Sequence, residues 1–191
     1  MFQTGEIIAV NFVSHNDSQI RPYLVIEKHD DGFTALSVTK KSEQYKQEDL
    51  SVIINSSNLE NGQLDDEFIV PANRSFFIPH NQIVKKLAKV SKSTMELIIK
   101  NQILRYTNVY YEHIHNNKEN PFTEGITKIN YAGRVFDNNE MLNLMDASLE
   151  FWLTYGRFSK QFEKQLAELL DTKYVFQLTP VLPQICWLLW L

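Results

Sequence analysis

Cationic side chains in and between the short apolar runs are candidates for chemistry in the first half of the chain. They are Arg21, Lys40, Lys41, Arg74, Lys85 and Lys86. An arginine guanidinium is permanently charged and can hold a phosphate through two parallel hydrogen bonds. On sequence alone, however, an arginine before Pro22 is also typical of an exposed strand edge, and the KKLAK run is typical of the solvent face of a strand.

Metal-dependent chemistry has little support in the sequence. The histidines show no ligand spacing with one another or with other donors: His15, His29, His80, His113 and His115. Cys186 is the single cysteine, so neither a disulfide framework nor a cysteine metal site is expected.

Composition predicts a globular protein with one medium or two small domains. The chain has 191 residues, 43% of them hydrophobic, and a net charge of -4. Any contact with nucleic acid must therefore come from a local basic patch rather than from the overall charge. The N-terminus lacks a signal-peptide pattern, and the apolar end ICWLLWL is far shorter than the roughly 20 residues that span a bilayer. We expect no membrane insertion and a cytoplasmic location.

The elements that must position these cations change in type near Ser93. Before it, short β-branched runs alternate with polar turns, at residues 6–13, 21–28, 33–40, 50–54, 67–70 and 83–90. Such closely spaced strands predict a small curled sheet or barrel. After it, Ser93 with Glu96 has capping-box spacing and starts a helix that runs past Tyr110.

Further helices are predicted in the second half of the chain. Residues 115–125 are polar, contain Pro and Gly, and indicate a linker. Asp137 with Glu140 has capping-box spacing and predicts a helix to about Leu153, and Ser159 is expected to cap another that ends near Leu170. The expected fold class is therefore α+β, a small β-barrel with a C-terminal helix followed by an incomplete helical segment.

The order of the strand motifs resembles the PemK/MazF family of toxin endoribonucleases over about residues 4–102. The motifs are GEIIAVNF, RPYLVIE, ALSVTKK and FIPHNQIVKKLAKVSKSTMELI. The resemblance implies an SH3-like barrel and a metal-independent ribonuclease in which the 2′-hydroxyl of single-stranded RNA attacks the adjacent phosphate. It assigns catalytic roles to Arg21 and Thr39, although Lys40 follows Thr39 where many relatives have Ser.

The same resemblance implies the RNA-contacting residues and the partners. Charge along the path of the RNA would come from Lys40, Lys41, Arg74, Lys85 and Lys86. The expected partners are single-stranded RNA, an antitoxin-like protein with an acidic disordered tail, and a second copy of the chain paired through the barrel. By itself, a threonine at a strand end such as Thr39 is usually explained by its β-propensity.

The second half resembles another family through GRVFD, FWLT, GRF and FEKQLAELL, at residues 133–170. These motifs are similar to the N-terminal part of the DegT/DnrJ/EryC1/StrS pyridoxal-phosphate sugar enzymes, and most of all to their CDP-4-keto-6-deoxyhexose 3-dehydrases of lipopolysaccharide biosynthesis. The expected domains are the barrel at 1–102, a helix end and linker at 103–128, the sugar-enzyme fragment at 129–176 and a tail at 177–191.

The tail, QLTPVLPQICWLLWL, is interpreted as a translation in the wrong frame. Back-translated with suitable codons, its shifted frame encodes TNSGSSANLLALMA, which is similar to the cofactor-phosphate loop of the sugar enzymes. A loop of small polar residues before a helix suits phosphate binding. Because the shift replaces that loop, we expect no pyridoxal phosphate and no sugar chemistry.

Three functions remain open from the sequence. The first is a toxin-like endoribonuclease fused to an inactive fragment. The second is a truncated sugar enzyme without activity. The third is a barrel that binds nucleic acid or an antitoxin without catalysis.

Overall fold

The computed structural model of the chain describes residues 2–14, 17–40, 50–116, 123–126, 128, 136–152 and 154–177. The described strands lie between Glu6 and Val90, and most of them coincide with the β-branched runs. They are β1 (Glu6–Ser14), β2 (Asp17–Lys28), β3 (Gly32–Ser37), β4 (Thr39–Lys40), β5 (Val52–Ile54), β6 (Leu59–Gly62), β7 (Phe68–Val70), β8 (Ser75–Pro79) and β9 (Ile83–Val90).

The strands form two antiparallel sheets. One has six strands in the order β6-β9-β1-β2-β3-β8, and the other has three in the order β4-β7-β5. In the larger sheet, β1 pairs with β2 so that Val10 lies opposite Arg21, and β2 pairs with β3 so that Tyr23 lies opposite Ser37. The fold class is α+β, and the expected barrel with a C-terminal helix is confirmed.

Gly32 permits the close approach of β3 to β8. A Cβ atom built at Gly32 would lie 2.4 Å from the carbonyl oxygen of Ile78. The tight connection before it, through Asp30 and Asp31, closes with a hydrogen bond from the His29 N–H to the Gly32 carbonyl. A glycine at this position therefore lets the hairpin and the neighbouring strand pack together.

Two apolar clusters lie on opposite faces of the six-stranded sheet. The first is shared by both sheets and the helix α1 (Lys92–Ile114), and includes Leu24, Leu36, Ile54 and Ile98. The second consists of Ile8, Val10, Tyr23, Val25, Phe33, Ala35 and Ile78. Because β2 alternates, Arg21 lies on the face of the second cluster, together with Tyr23 and Val25. We call this surface the Tyr23 face.

Helix α1 begins at a different residue from the one the sequence indicates. Its N-cap is Ser91, whose side chain accepts a hydrogen bond from the Thr94 N–H, and Ser93 lies inside the helix. The prediction of a Ser93–Glu96 capping box was wrong because the helix starts two residues earlier, where the Ser91 side chain caps the free N–H of Thr94.

The second half contains α2 (Asn138–Leu149) and α3 (Arg157–Leu169). The capping box at α2 is confirmed, since the Asp137 N–H donates to Glu140 and Asp137 accepts from the Asn139 N–H. The cap of α3 is Gly156, and Ser159 lies inside the helix, so the expected Ser159 cap was wrong. The chain divides into two compact units, residues 1–142 and 143–191.

Candidate nucleic-acid interface

Arg21 lies in β2 and its side chain is exposed on the Tyr23 face. Its Nη2 and Nε atoms donate to Oε1 of Gln19, at 2.8 and 3.3 Å. Gln19 is two residues earlier on the same face of the strand. The partner is a neutral amide, so this contact orients the guanidinium and leaves its positive charge available to an anion.

Tyr23 lies beside Arg21 on the same face and is only 4% exposed. Burial raises the pKa of the Tyr23 hydroxyl, and the nearby positive charge of Arg21 partly opposes that rise. The ring of Tyr23 also meets Phe76 of β8 edge to face, with the ring centroids 5.6 Å apart and an interplanar angle of 81°. Arg21, Tyr23 and Phe76 therefore form one continuous surface.

Thr39 is brought next to this surface by a backbone contact. The Val38 N–H donates to the Pro22 carbonyl at 3.1 Å, which ties the start of β4 to the Arg21–Pro22 step of β2. The hydroxyl of Thr39 makes a long contact, 3.5 Å, with the carbonyl oxygen of Ile69. A hydrogen bond of that length is weak, so a ligand oxygen could replace it at little cost.

Arg74 lies in the segment that precedes β8. Its carbonyl accepts a hydrogen bond of 3.0 Å from the Ser37 N–H, and Ser37 is the residue directly opposite Tyr23. The structure thus brings Arg21, Thr39 and Arg74 to neighbouring positions on β2, β4 and the segment before β8. These three sequence-predicted residues come from distant parts of the chain.

The predicted RNA-binding lysines are placed less favourably. Lys40 forms an ion pair of 2.5 Å with Asp66, and the hydrogen bond to Asp66 raises the pKa of Lys40. Lys85 and Lys86 point to opposite sides of β9, because they pair with Ala9 and Ile8 respectively. Lys41 lies outside the described residues.

Lys86 contacts a buried carboxylate rather than open solvent alone. Its Nζ atom lies 2.6 Å from Oε1 of Glu6. Burial alone would raise the pKa of Glu6, but the hydrogen bonds from Lys86 and the Gln3 N–H, with the charge of Lys86, hold it below its ordinary value. The positive charge of Lys86 is therefore partly neutralised by the carboxylate of Glu6.

Sequence reasoning missed Gln19, Tyr23 and Phe76. Gln19 and Tyr23 could have been found, since they flank Arg21 at two-residue spacing and must share its side of a strand. Phe76 could not, because β8 was not predicted and nothing in the sequence indicates that it lies beside Tyr23.

Other features of the described residues do not overlap this surface. A pocket of about 560 Å³ lies where α1 begins, and is lined by residues that include Thr4, Glu60, Lys89 and Met95. Lys89 there is paired with Glu60 at 2.7 Å.

Within the described ranges, no group of three or more His, Cys, Asp or Glu side chains is arranged to hold a metal ion. None of the helices described is long and apolar enough to cross a membrane.

Several solved structures share similarity with about half of the chain. An endoribonuclease in complex with its cognate antitoxin from a mycobacterial species matches 53% of this chain and 91% of its own, at 15% identity and a TM-score of 0.41. The Mycobacterium tuberculosis toxin MazF-mt6 matches 51% of this chain and 91% of its own, at 14% identity and a TM-score of 0.40. MazE-MazF from Deinococcus radiodurans matches 52% of this chain and 90% of that chain, at 16% identity and a TM-score of 0.40.

A curated relative matches a shorter stretch. The lipopolysaccharide biosynthesis protein RfbH of Salmonella typhimurium is 37% identical over 59 residues. Those residues are 31% of this chain, and the chain spans only 14% of the length of RfbH.

The family match covers the strands and most of helix α1. The family described as PemK-like, MazF-like toxin of type II toxin-antitoxin system matches residues 3–105, more than half of the 191 residues of the chain. The match contains Arg21, Thr39 and Arg74. The chain therefore belongs to the PemK-like, MazF-like toxin family.

Proposed function

We propose that the barrel is a metal-independent endoribonuclease that cleaves single-stranded RNA, with Arg21 and Thr39 at the scissile phosphate. The observation that carries this proposal is the hydrogen bond from the Val38 N–H to the Pro22 carbonyl. It holds the strand with Thr39 beside an exposed guanidinium whose side-chain partner is a neutral amide. Membership of a toxin family gives the proposal its reaction class.

In the proposed reaction the 2′-hydroxyl loses its proton and attacks the adjacent phosphorus. The bond from phosphorus to the 5′-oxygen breaks, the 5′-oxygen takes up a proton, and a 2′,3′-cyclic phosphate remains. Negative charge grows on the non-bridging oxygens as the attack proceeds. Arg21 stabilises that charge through two hydrogen bonds, and Thr39 donates a third from its hydroxyl.

The test compares the unchanged chain with Arg21→Ala on a single-stranded RNA in the presence of a chelator. Losing a charged hydrogen bond to the transition state lowers the rate by on the order of 10²-fold or more. Arg21→Lys keeps the charge but loses the planar fork, so its rate should be intermediate. Arg157→Ala, which removes an arginine of the second unit, is the matched control and should cut as fast as the unchanged chain.

Each outcome of this test decides between functions. Equal cleavage by the unchanged chain and Arg21→Ala would refute the catalytic role of Arg21. Binding of RNA without cleavage by either would favour the barrel as a non-catalytic binding module. Cleavage that stops when the chelator is added would refute metal independence.

The proposed partners are inferred from the same surface. Arg21 is exposed on the Tyr23 face and Arg74 lies in the segment before β8, although the whole chain carries a net charge of -4. A local basic groove of this kind suits the acidic, disordered tail of an antitoxin-like protein, and the barrel is proposed to pair with a second copy. Sedimentation at micromolar concentration, with and without the product of a neighbouring gene, would test both associations.

For the second half, the proposal is an inactive fragment of a nucleotide-sugar enzyme, with the boundary between barrel and fragment before residue 129. It is supported by the 37% identity to RfbH over 59 residues. The fragment is proposed to bind no pyridoxal phosphate, and saturable uptake of that cofactor by the purified chain would contradict this.

The gene sequence around the codon for Gln177 tests the proposed shift of frame. A continuation encoding TNSGSSANLLALMA in the alternative frame would support it.

A further inference from the structure

Phe76 is a large aromatic side chain that remains 39% exposed beside the proposed phosphate site. It lies on β8 opposite Ala35, a residue of the second cluster, so its ring is on the Tyr23 face. The next residue, Phe77, lies opposite Thr34 and points to the other side of the strand. One face of the sheet thus carries both the guanidinium and an accessible ring.

The geometry of the aromatic pair leaves part of Phe76 free of Tyr23. In an edge-to-face pair, the edge of one ring contacts a single face of the other. With an interplanar angle of 81°, Tyr23 can occupy at most one face of the Phe76 ring. The contact with Tyr23 therefore orients Phe76 while at least one of its faces stays clear of Tyr23.

We propose that Phe76 is a stacking surface for one base of the bound RNA, next to the nucleotide whose phosphate is held by Arg21. This inference rests on the proposed function and adds a determinant of substrate binding to it. Stacking on an aromatic ring is available to every base, and proteins that bind single strands combine such rings with cations that follow the backbone. The Tyr23 face has both components, the ring of Phe76 and the guanidinium of Arg21.

The groups around Phe76 favour a base over an apolar peptide. Arg21, on the same face, offers a positive charge for a phosphate. An apolar anchor of a protein partner would require a continuous apolar surround, and the large exposed side chains Phe77 and Ile20 face the other way on their strands. If Phe76 instead anchored a protein partner, Phe76→Leu would keep the RNA affinity of the unchanged chain.

The test uses the full chain and a single-stranded 2′-O-methyl RNA, which lacks the attacking hydroxyl and cannot be cut. Affinity is measured by fluorescence anisotropy for Phe76→Leu and Phe76→Tyr, with Phe77→Leu as the matched control. Loss of one stacked base should weaken binding roughly 5- to 100-fold in Phe76→Leu. Phe76→Tyr keeps the ring and should bind like the unchanged chain, and Phe77→Leu should change affinity by no more than about twofold.

Two further measurements identify what the ring contacts. The salt dependence of binding should keep its slope in Phe76→Leu, because the phosphate contacts remain. Replacing nucleotides one at a time by abasic ones should reveal one position at which the unchanged chain and Phe76→Leu bind equally well. Thermal unfolding of Phe76→Leu shows whether the fold persists, and Phe76→Tyr tests the ring independently if it does not.

The results separate this inference from the proposed function. If the unchanged chain cleaves RNA and Phe76→Leu binds the uncleavable strand as tightly, the inference is refuted and the function stands. If the chain binds this strand through Phe76 but cuts no RNA, the inference stands and the function is refuted. Absence of binding of the 2′-O-methyl RNA by the unchanged chain would overturn the stacking role.

Discussion

The strands of the barrel bury apolar side chains, whereas the two later helices bury none of theirs. Leu24 in β2 is 0% exposed, whereas Leu169 at the end of α3 is 80% exposed. None of the residues of α2 or α3, all of which are described, is buried. An amphipathic pattern is sufficient to predict a helix, but the stability of that helix depends on a surface to pack against. The apolar side chains of α2 and α3 therefore contribute no buried core in the part of the chain that the structure describes.

The sharpest test of this difference substitutes one leucine in each region. Leu24→Ala removes a fully buried side chain and should lower the free energy of unfolding by about 2–5 kcal/mol. Leu169→Ala removes an exposed one and should change it by no more than about 0.5 kcal/mol. Urea denaturation followed by circular dichroism measures both. A large loss in Leu169→Ala would show that the second unit has a packed core.

The ion pair inside the barrel gives the next largest effect. Glu6→Gln removes the carboxylate that binds Lys86, and should cost about 1–2 kcal/mol after allowance for the partial exposure of Lys86. Because the folded-state pKa of Glu6 is lowered from 4.5, its contribution is fully present above that pH. The contribution is lost as the pH falls through the lower, folded-state pKa.

Stability measured at a series of pH values tests that sign. The unchanged chain should lose stability through this group below pH 4.5, and Glu6→Gln should lose less over the same range. Glu60→Gln, which removes the more exposed partner of Lys89, is the control and should cost less than about 1 kcal/mol. An identical acid dependence in the unchanged chain and Glu6→Gln would contradict the assignment.

Ending the chain at Asn116 removes the second unit together with residues 117–142 of the first, and should have a smaller effect on the stability of the barrel. A chain that ends at Asn116 keeps all of α1, and should unfold within about 0.5 kcal/mol of the full chain and be more soluble. An end at Gln102, the predicted domain boundary, would cut α1 before the buried Thr107. Failure of the chain ending at Asn116 to fold would show that the barrel requires residues beyond Asn116.

The smallest expected effect is on RNA binding, when an ion-pair partner is removed from Lys40 in the barrel or from Arg157 in the second unit. Asp66→Asn releases Lys40 from its ion pair and should strengthen RNA binding by a few fold, with the salt slope steeper by about 0.7. Asp146→Asn removes one partner of Arg157 in the second unit and should leave RNA binding unchanged. Titrations at several salt concentrations measure both slopes. Equal slopes in all three chains would place Lys40 away from the RNA.

Sequence patterns predicted the strands that are long and β-branched, and failed on those that depend on tertiary contacts. Most of the strand runs were found, but β6 and β8 were missed because LENG and SFFIP lack a clear alternation of apolar and polar residues. The start of β2 was also placed too late, at Arg21 rather than Asp17, because the polar residues before it gave no strand signal.

The site was predicted to a similar extent. Arg21, Thr39 and Arg74 could be selected from motif order and charge, and the structure places them on adjacent segments. The partners of Lys40 and Lys86 could not be foreseen, since ion pairs between residues far apart in the chain depend on the fold. The roles of Arg21 and Thr39 themselves remain predictions until the cleavage experiments are done.

The alternation of β2 constrains how this chain can change over evolutionary time. Arg21 and Tyr23 share a face only because they are two residues apart in a strand whose register is fixed by β1 and β3. An extra residue inserted between them would turn one of the two to the opposite side of the sheet. An extra residue at the Asp30–Asp31 turn would lengthen a loop and leave both in place. In a library of single-residue insertions, we therefore expect the proposed RNA cleavage to persist with insertions at that turn and to be lost with insertions between Arg21 and Tyr23.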